Sequence, residues 1–293
     1  MKTFEELSFV DDFMFCKVLE DNEDLCKELL ELILEKPIRM IKNRNKQKSI
    51  DIAYDGKGIR LDVYVEDGDS TVYDIEMQTT PELALPKRSR YYQGMIDLDI
   101  IEKGAMYQEL KKSYIIFICN KNPFEEKQLH KYSFENVCME DKNIRLEDET
   151  VKVFLTPDGI EDDISPKMKD FLNFISSGTP NDDFTRRLDE AVAKQKVSKE
   201  RKKEFMKFEL LMQEERAKGR AEGHASGLAE GHASGLAEGH ASGLAEGVEH
   251  GKLSILRGLM QTTNCSVEEA LKMGNVPEEE WETYLDLLNK KEQ

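Results

Sequence analysis

In the run Tyr73-Asp-Ile-Glu-Met-Gln78, apolar and polar residues alternate, so a strand there carries Asp74, Glu76 and Gln78 on one face. A second alternating run, Ile59-Arg-Leu-Asp62-Val-Tyr-Val65, precedes it across the polar segment Glu66-Asp-Gly-Asp-Ser70. Two carboxylates converging on such a face can hold a hard divalent cation through oxygen ligands. A cation held there offsets phosphate charge, stabilises a pentavalent transition state and lowers the pKa of a bound water. On this reading Asp62 and Glu76 are the metal pair. Gln78 is the third catalytic candidate, able to orient a water but not to supply positive charge. Register decides whether they meet. A two-residue Asp67-Gly68 turn pairs Asp62 with Tyr73, on the wrong face. A loop one residue longer, or a bulge, pairs it with Asp74, diagonal to Glu76. The polar loop predicts the longer connection. The plainer alternative is a half-solvated hairpin whose outer face is merely acidic. Against it stand the crowding of Asp74 onto the same face and the core elements that follow.

Those elements are legible from period and punctuation. Residues 10–36 read as two helices, the first with Phe13, Phe15, Val18 and Leu19 on its apolar side. Asn22 is placed to cap the second, which Pro37 ends. Ile50, Ile52 and Tyr54 alternate before an Asp55-Gly56 turn, which makes three adjacent strands with the two runs above. A helix over 87–110 begins basic, with Lys87, Arg88 and Arg90. Tyr114 to Cys119 is a continuous apolar run, as for a strand buried on both faces. The long helix between implies a crossover connection, and the order helix, three strands, helix, strand predicts an α/β core. Further strands are expected within 132–156, where Val151, Val153 and Leu155 alternate. A helix capped by Ser165, with Pro166 at its first position, should run to about Ile175.

Beyond residue 180 the character changes. Residues 181–222 form a charged helical stretch, locally basic from Lys194 to Lys207. In 223–251 the octapeptide Gly-His-Ala-Ser-Gly-Leu-Ala-Glu repeats from Gly223, Gly231 and Gly239. Each glycine costs a helix about 1 kcal/mol relative to alanine, so this is a flexible linker or a helix held by packing. His224, His232 and His240 lie eight apart, not the four that clusters ligands on a helix, and read as a duplicated unit rather than a metal site. Leu228, Leu236 and Leu244 add an apolar line, and self-association into a homo-oligomer through this tail is one expectation. The segment 252–293 reads as small and helical, with a capping box at Ser266 and a stripe of Trp281, Tyr284, Leu285 and Leu288.

The formal net charge of -17 opposes nucleic-acid binding at long range, so any contact with DNA must use local basic patches or bridging cations. Arg88, Arg90, Tyr91 and Tyr92 open the helix at 87–110, and Arg88 and Tyr92 share a face. They are candidates for phosphate contact with aromatic support; a solvated basic turn with a core tyrosine is the alternative. Five scattered cysteines without a CxxC pair fit reduced thiols in a cytoplasmic protein. The start lacks a signal-peptide pattern, and no apolar run spans a bilayer, so no membrane partner is expected.

The run from Gly58 through Asp62 to Val65, the run Tyr73 to Gln78, and Lys87-Arg-Ser-Arg-Tyr-Tyr-Gln93 together resemble the Rpn-type recombination-promoting nucleases. These are also described as transposases of the PD-(D/E)XK nuclease superfamily. The opening Phe9-Val-Asp-Asp12-Phe-Met-Phe15 and the strand Tyr114 to Cys119 fit as well, so the likeness spans about residues 8–156. It implies a restriction-endonuclease-like core within residues 1–180, a central mixed sheet flanked by helices, with a mainly helical C-terminal region. It further implies DNA cleavage with Mg²⁺ or Mn²⁺. Asp62 and Glu76 match the metal carboxylates. Gln78 stands where the superfamily usually has lysine, a glutamine usual in this branch. Asp12 matches an accessory acidic position, or is simply a helix-start residue. The competing expectation is a catalytically inactive nuclease fold that serves as an interaction scaffold.

Overall fold

The computed structural model describes residues 2–46, 48–50, 58–82, 84–124 and 128–289. It divides into two units, Met1–Leu210 and Leu211–Gln293.

The first unit opens with α1 (Asp12–Asp21) and α2 (Glu23–Leu34). Asn22 stands at the junction as expected, but its side chain does not cap α2. Its Nδ2 donates to the Val18 carbonyl at 2.7 Å and closes α1 instead. Glu35, in the left-handed region at φ 53°, ends α2 before Pro37 is reached. Next come β1 (Ile41–Lys46), β2 (Ser49–Ile50), β3 (Ile59–Arg60), β4 (Val63–Asp67) and β5 (Val72–Gln78). The helix α3 (Leu85–Ile100) crosses to β6 (Ser113–Cys119), followed by β7 (Lys131–Phe134) and β8 (Thr150–Leu155). The remaining helices of the unit are α4 (Pro166–Ser177), α5 (Asp183–Lys196) and the first part of α6 (Lys199–Thr263).

Six strands form one sheet in the order β1-β4-β5-β6-β8-β7. Pairing is parallel between β5, β6 and β8 and antiparallel elsewhere, so the sheet is mixed. The parallel pair β5–β6 needs a crossover, and α3 provides it. One face buries Val65, Tyr73, Ile75, Ile116 and Val153 against α1, α2, α4 and α5. The other buries Leu61, Tyr64, Phe117 and Phe154 against Leu85, Tyr92, Met95 and Ile96 of α3. Every residue of β6 is buried, as its unbroken apolar run requires. Ser165 caps α4, its Oγ accepting from the Met168 N–H, and Gly178 at φ 71° ends it in a conformation that only glycine adopts without cost.

Several elements depart from expectation. Strand β1, Ile-Lys-Asn-Arg-Asn-Lys, has no apolar alternation to announce it; it lies at the sheet edge, where one side needs no partner. The expected continuous strand over 59–65 is broken at Leu61-Asp62. Among the described residues, its first half pairs with Ser49–Ile50 as a separate two-stranded piece. The Ile52, Tyr54 and Asp55-Gly56 features lie outside the described residues. Helix α3 stops at Ile100 rather than about 110, and Gly104 at φ 91° follows in the turn.

The β4–β5 loop holds Asp62 in place. It is longer than the shortest alternative by more than one residue: Asp67 N–H bonds to the Thr71 carbonyl, with Ser70 in the left-handed region at φ 63°. Asp67 Oδ1 accepts from the Asp69 and Thr71 N–H groups, both at 2.9 Å, and Oδ2 from the Tyr73 hydroxyl at 2.7 Å. The register pairs Val63 with Ile75 and Tyr64 with Asp74. Carried one residue further, it sets Asp62 opposite Glu76, not opposite Asp74 as expected, yet on the required face.

In the second unit, α6 is helical through the whole octapeptide repeat, and residues 216–251 are all exposed. Its end packs Leu253 and Leu256 against α7 (Val267–Met273) and α8 (Trp281–Asn289) around Ala270, Leu271 and Tyr284. Ser266 caps α7 through the capping box read from the sequence. Among the described residues, no helix is long and apolar enough to cross a membrane.

Candidate metal and catalytic site

The break before β4 turns backbone hydrogen bonds over to side chains. Asp62 N–H donates to Glu76 Oε1 at 2.9 Å, and Met77 N–H donates to Asp62 Oδ2 at 3.1 Å. The two expected metal carboxylates therefore meet, each gripping the other's strand. The face is not half-solvated: Asp62 is 8%, Glu76 1% and Asp74 0% exposed. Burying carboxylates this deeply is costly unless they are paired or neutralised, and a merely acidic surface would not show it.

Burial raises the pKa of all three. For Asp62 desolvation dominates, and the charges of Glu76 and Asp12 add to it, against the Met77 N–H. For Glu76 desolvation again leads, then Asp74, opposed by the Asp62 N–H and Arg88. Asp74 is raised by desolvation and by Asp62. Neither Asp74 oxygen has a hydrogen-bond donor. The neighbouring Glu76 carboxyl can bond to it only when one of the two holds a proton.

This has a measurable consequence for stability. Asp74 has an ordinary pKa near 3.8 and a raised one in the fold, so the unfolded chain releases its proton first as pH rises. The native state is therefore penalised progressively above about pH 4, until the folded group has ionised as well. Asp74→Asn removes that penalty. Its melting temperature in EDTA is expected to match wild type near pH 4 and to exceed it by a margin that widens as the pH rises above that. A margin that is constant or shrinks with pH would contradict the burial of an ionisable group there.

Asp12, at the start of α1, comes to the same place. Its Oδ2 accepts from Arg60 Nη2 at 3.0 Å, and its Oδ1 accepts from the Cys16 thiol at 3.7 Å. Among the described residues, Asp12, Cys16 and Asp62 bring their ligand atoms within 4.8 Å of one another. The oxygens of Asp12 and Asp62 suit a hard divalent cation. The thiol of Cys16 does not, and it is buried and engaged as a donor. Buried carboxylates repelling one another, with two orphaned oxygens beside them, are a donor set that a divalent cation fits.

Arg88, a candidate for phosphate contact, is turned onto the acidic strand. From α3 its Nη2 reaches Glu76 Oε2 at 2.8 Å and its Nη1 reaches Gln78 Oε1 at 2.9 Å. Its Nε donates to the Tyr92 hydroxyl at 2.9 Å. Tyr92 is buried against the Phe117 ring, whereas Arg90 and Tyr91 are exposed. Gln78 Nε2 donates to the Thr80 carbonyl at 2.6 Å, so both ends of this amide are engaged. Arg60 was not among the candidates, although its place two residues before Asp62 in the alternating run put it on the same side. Cys16, one helical turn after Asp12, gave no signal beyond an apolar position.

A mixed sheet with a parallel centre, flanked by helices and carrying buried acids at the end of its hairpin, defines an α/β core of the PD-(D/E)XK type. The model of the PD-(D/E)XK nuclease family transposases matches residues 9–222, and the chain belongs to that family. No curated protein and no solved structure matches it.

Proposed function

We propose that the protein is a metal-dependent DNA endonuclease that hydrolyses phosphodiester bonds, promoting recombination or acting on mobile or foreign DNA. The reading rests on one observation: Asp62 and Glu76 interlock across a strand break, buried, with Asp12 beside Asp62. Asp62 and Glu76, with Asp12 as accessory acid, are the residues that would hold Mg²⁺ or Mn²⁺, and such a cation supplies Lewis-acid stabilisation of charge on the phosphate. In the reaction the water oxygen bonds to phosphorus, one phosphorus–sugar oxygen bond breaks, and the water proton ends on the departing oxygen. Exposed Arg90 and Tyr91 are the candidates for contact with the DNA backbone. The five cysteines are all in thiol form, in keeping with a reducing, cytoplasmic setting. The test is nicking or linearisation of supercoiled plasmid with Mg²⁺ or Mn²⁺, stopped by EDTA. No cleavage with either ion would overturn the reading.

The second reading is an inactive scaffold that self-associates through its tail. It is favoured by Leu228, Leu236 and Leu244, which stand 62–71% exposed along α6, outside the apolar clusters of the described residues. If they pair copies of the chain, deletion of residues 223–246 is expected to lower the mass seen by light scattering to that of one chain. An unchanged mass would remove this role from the repeat.

A further inference from the structure

We infer that Arg88 carries the fixed positive charge of this active site, and that Gln78 serves to position it. The inference rests on the nuclease reading above.

The strand that bears Glu76 ends in a glutamine, which has no charge to offer a phosphate. The structure brings a charge to the same point from another element. The Arg88 guanidinium meets Gln78 Oε1 and Glu76 Oε2 with its two Nη atoms, and Tyr92 with Nε. The ring of Tyr92 lies 4.9 Å from the guanidinium carbon and that of Phe117 lies 5.5 Å away. Three acceptors and two aromatic faces fix the group, so little ordering remains to be done when a substrate arrives. Of the five N–H donors of a guanidinium, three are engaged among the described residues, which leaves two there. The side chain is 32% exposed while its partner Glu76 is 2% exposed, so of this ion pair Arg88 is the member open to an incoming anion. Arg60 is less suited. It pairs with Asp12 and lies over the Phe208 ring, and none of its described contacts is to Glu76 or Gln78.

The alternative is that Arg88 only neutralises Glu76 and ties α3 to the sheet. The two roles separate because Gln78 and the Arg88 fork meet at one point. A lysine at position 78 would set its ammonium on the same face of β5, beside Glu76. Charge lost at Arg88 should then be replaceable from the strand, whereas a lost helix anchor should not.

The experiment uses full-length protein, supercoiled plasmid and saturating Mg²⁺, with wild type and Asp62→Asn as controls. Arg88→Met is expected to cleave about a hundredfold more slowly at saturating DNA, the loss typical of one preorganised transition-state donor. Its half-saturating DNA concentration should move far less. Arg88→Lys should recover part of the rate, and Gln78→Lys with Arg88→Met most of it, at a melting temperature close to that of Arg88→Met alone. Full-rate cleavage by Arg88→Met, or a double variant no faster than the single one, overturns the inference while leaving the nuclease reading intact. A wild type that cuts nothing overturns both.

Discussion

Asp62→Asn is expected to lower the cleavage rate roughly a thousandfold, about 4 kcal/mol of transition-state stabilisation, without unfolding the protein. The isosteric amide keeps an oxygen to accept the Met77 N–H, and the Asp62 N–H that donates to Glu76 is backbone and is untouched. The variant loses a carboxylate buried beside Glu76 and Asp12, whose charges and desolvation raise its pKa. Removing that charge relieves the native state at neutral pH by the same linkage argued for Asp74. The paired signature is therefore lost activity with an equal or higher melting temperature in EDTA. Added Mg²⁺ or Mn²⁺ should raise the melting temperature of wild type, since binding to the native state alone stabilises it, and should do so much less in the variant. Plasmid cleavage under single-turnover conditions and thermal melts with and without cation read all of this. Cleavage undiminished by Asp62→Asn would remove the residue from the site. A large fall in melting temperature would recast it as a structural joint between the two strands.

Phe117→Ala is expected to destabilise the first unit by about 3–5 kcal/mol, the usual cost of deleting a buried phenylalanine side chain. Phe117 is fully buried at the centre of β6, opposite Glu76 on one side and Phe154 on the other. Its ring stacks on Phe154 at 5.6 Å, packs near Tyr92 at 6.2 Å and supports Arg88. A rigid sheet cannot collapse into the space it leaves. At about 2–4 °C per kcal/mol for a domain of this size, the unfolding transition should fall by about 10 °C, as differential scanning calorimetry would register. The same change loosens the seat of Arg88, so residual activity below the transition should fall further than stability alone accounts for. A shift under about 3 °C would mean the α3 face of the sheet is not the packed layer described here.

Much of the site was written in local pattern. Alternation in Tyr73–Gln78 assigned Asp74, Glu76 and Gln78 to one face whatever their partners, because strand side chains have period two. The unbroken apolar run of β6, set behind a helix too long for a hairpin, required a parallel centre to the sheet. The face of Asp62 was legible only as a parity. The turn chemistry argued for a longer loop, and the loop is longer still, but the added residues keep Asp62 on the side of Glu76. What sets the length is the Asp67 carboxylate, which gathers two loop N–H groups and the Tyr73 hydroxyl. That arrangement depends on a side chain several residues away folding back onto the turn.

Strand β1 was hidden because an edge strand needs no apolar alternation, and Asn22 satisfied the helix behind it instead of the one ahead. The partners of Arg88 were hidden for a related reason. A basic residue opening a helix reads as solvent-facing, and only the packing of α3 across the sheet turns it onto Glu76 and Gln78. The sequence by itself determined the acids, the shared face of Asp74, Glu76 and Gln78, and the succession of helices, hairpin, crossover helix and buried strand, since these follow from the two periods of backbone geometry. Tertiary structure alone decided that the acids are buried, that Asp12 joins them from α1, and that their counter-charge comes from a helix. Burial and long-range pairing depend on which surfaces the whole chain brings together, and no local window contains that information.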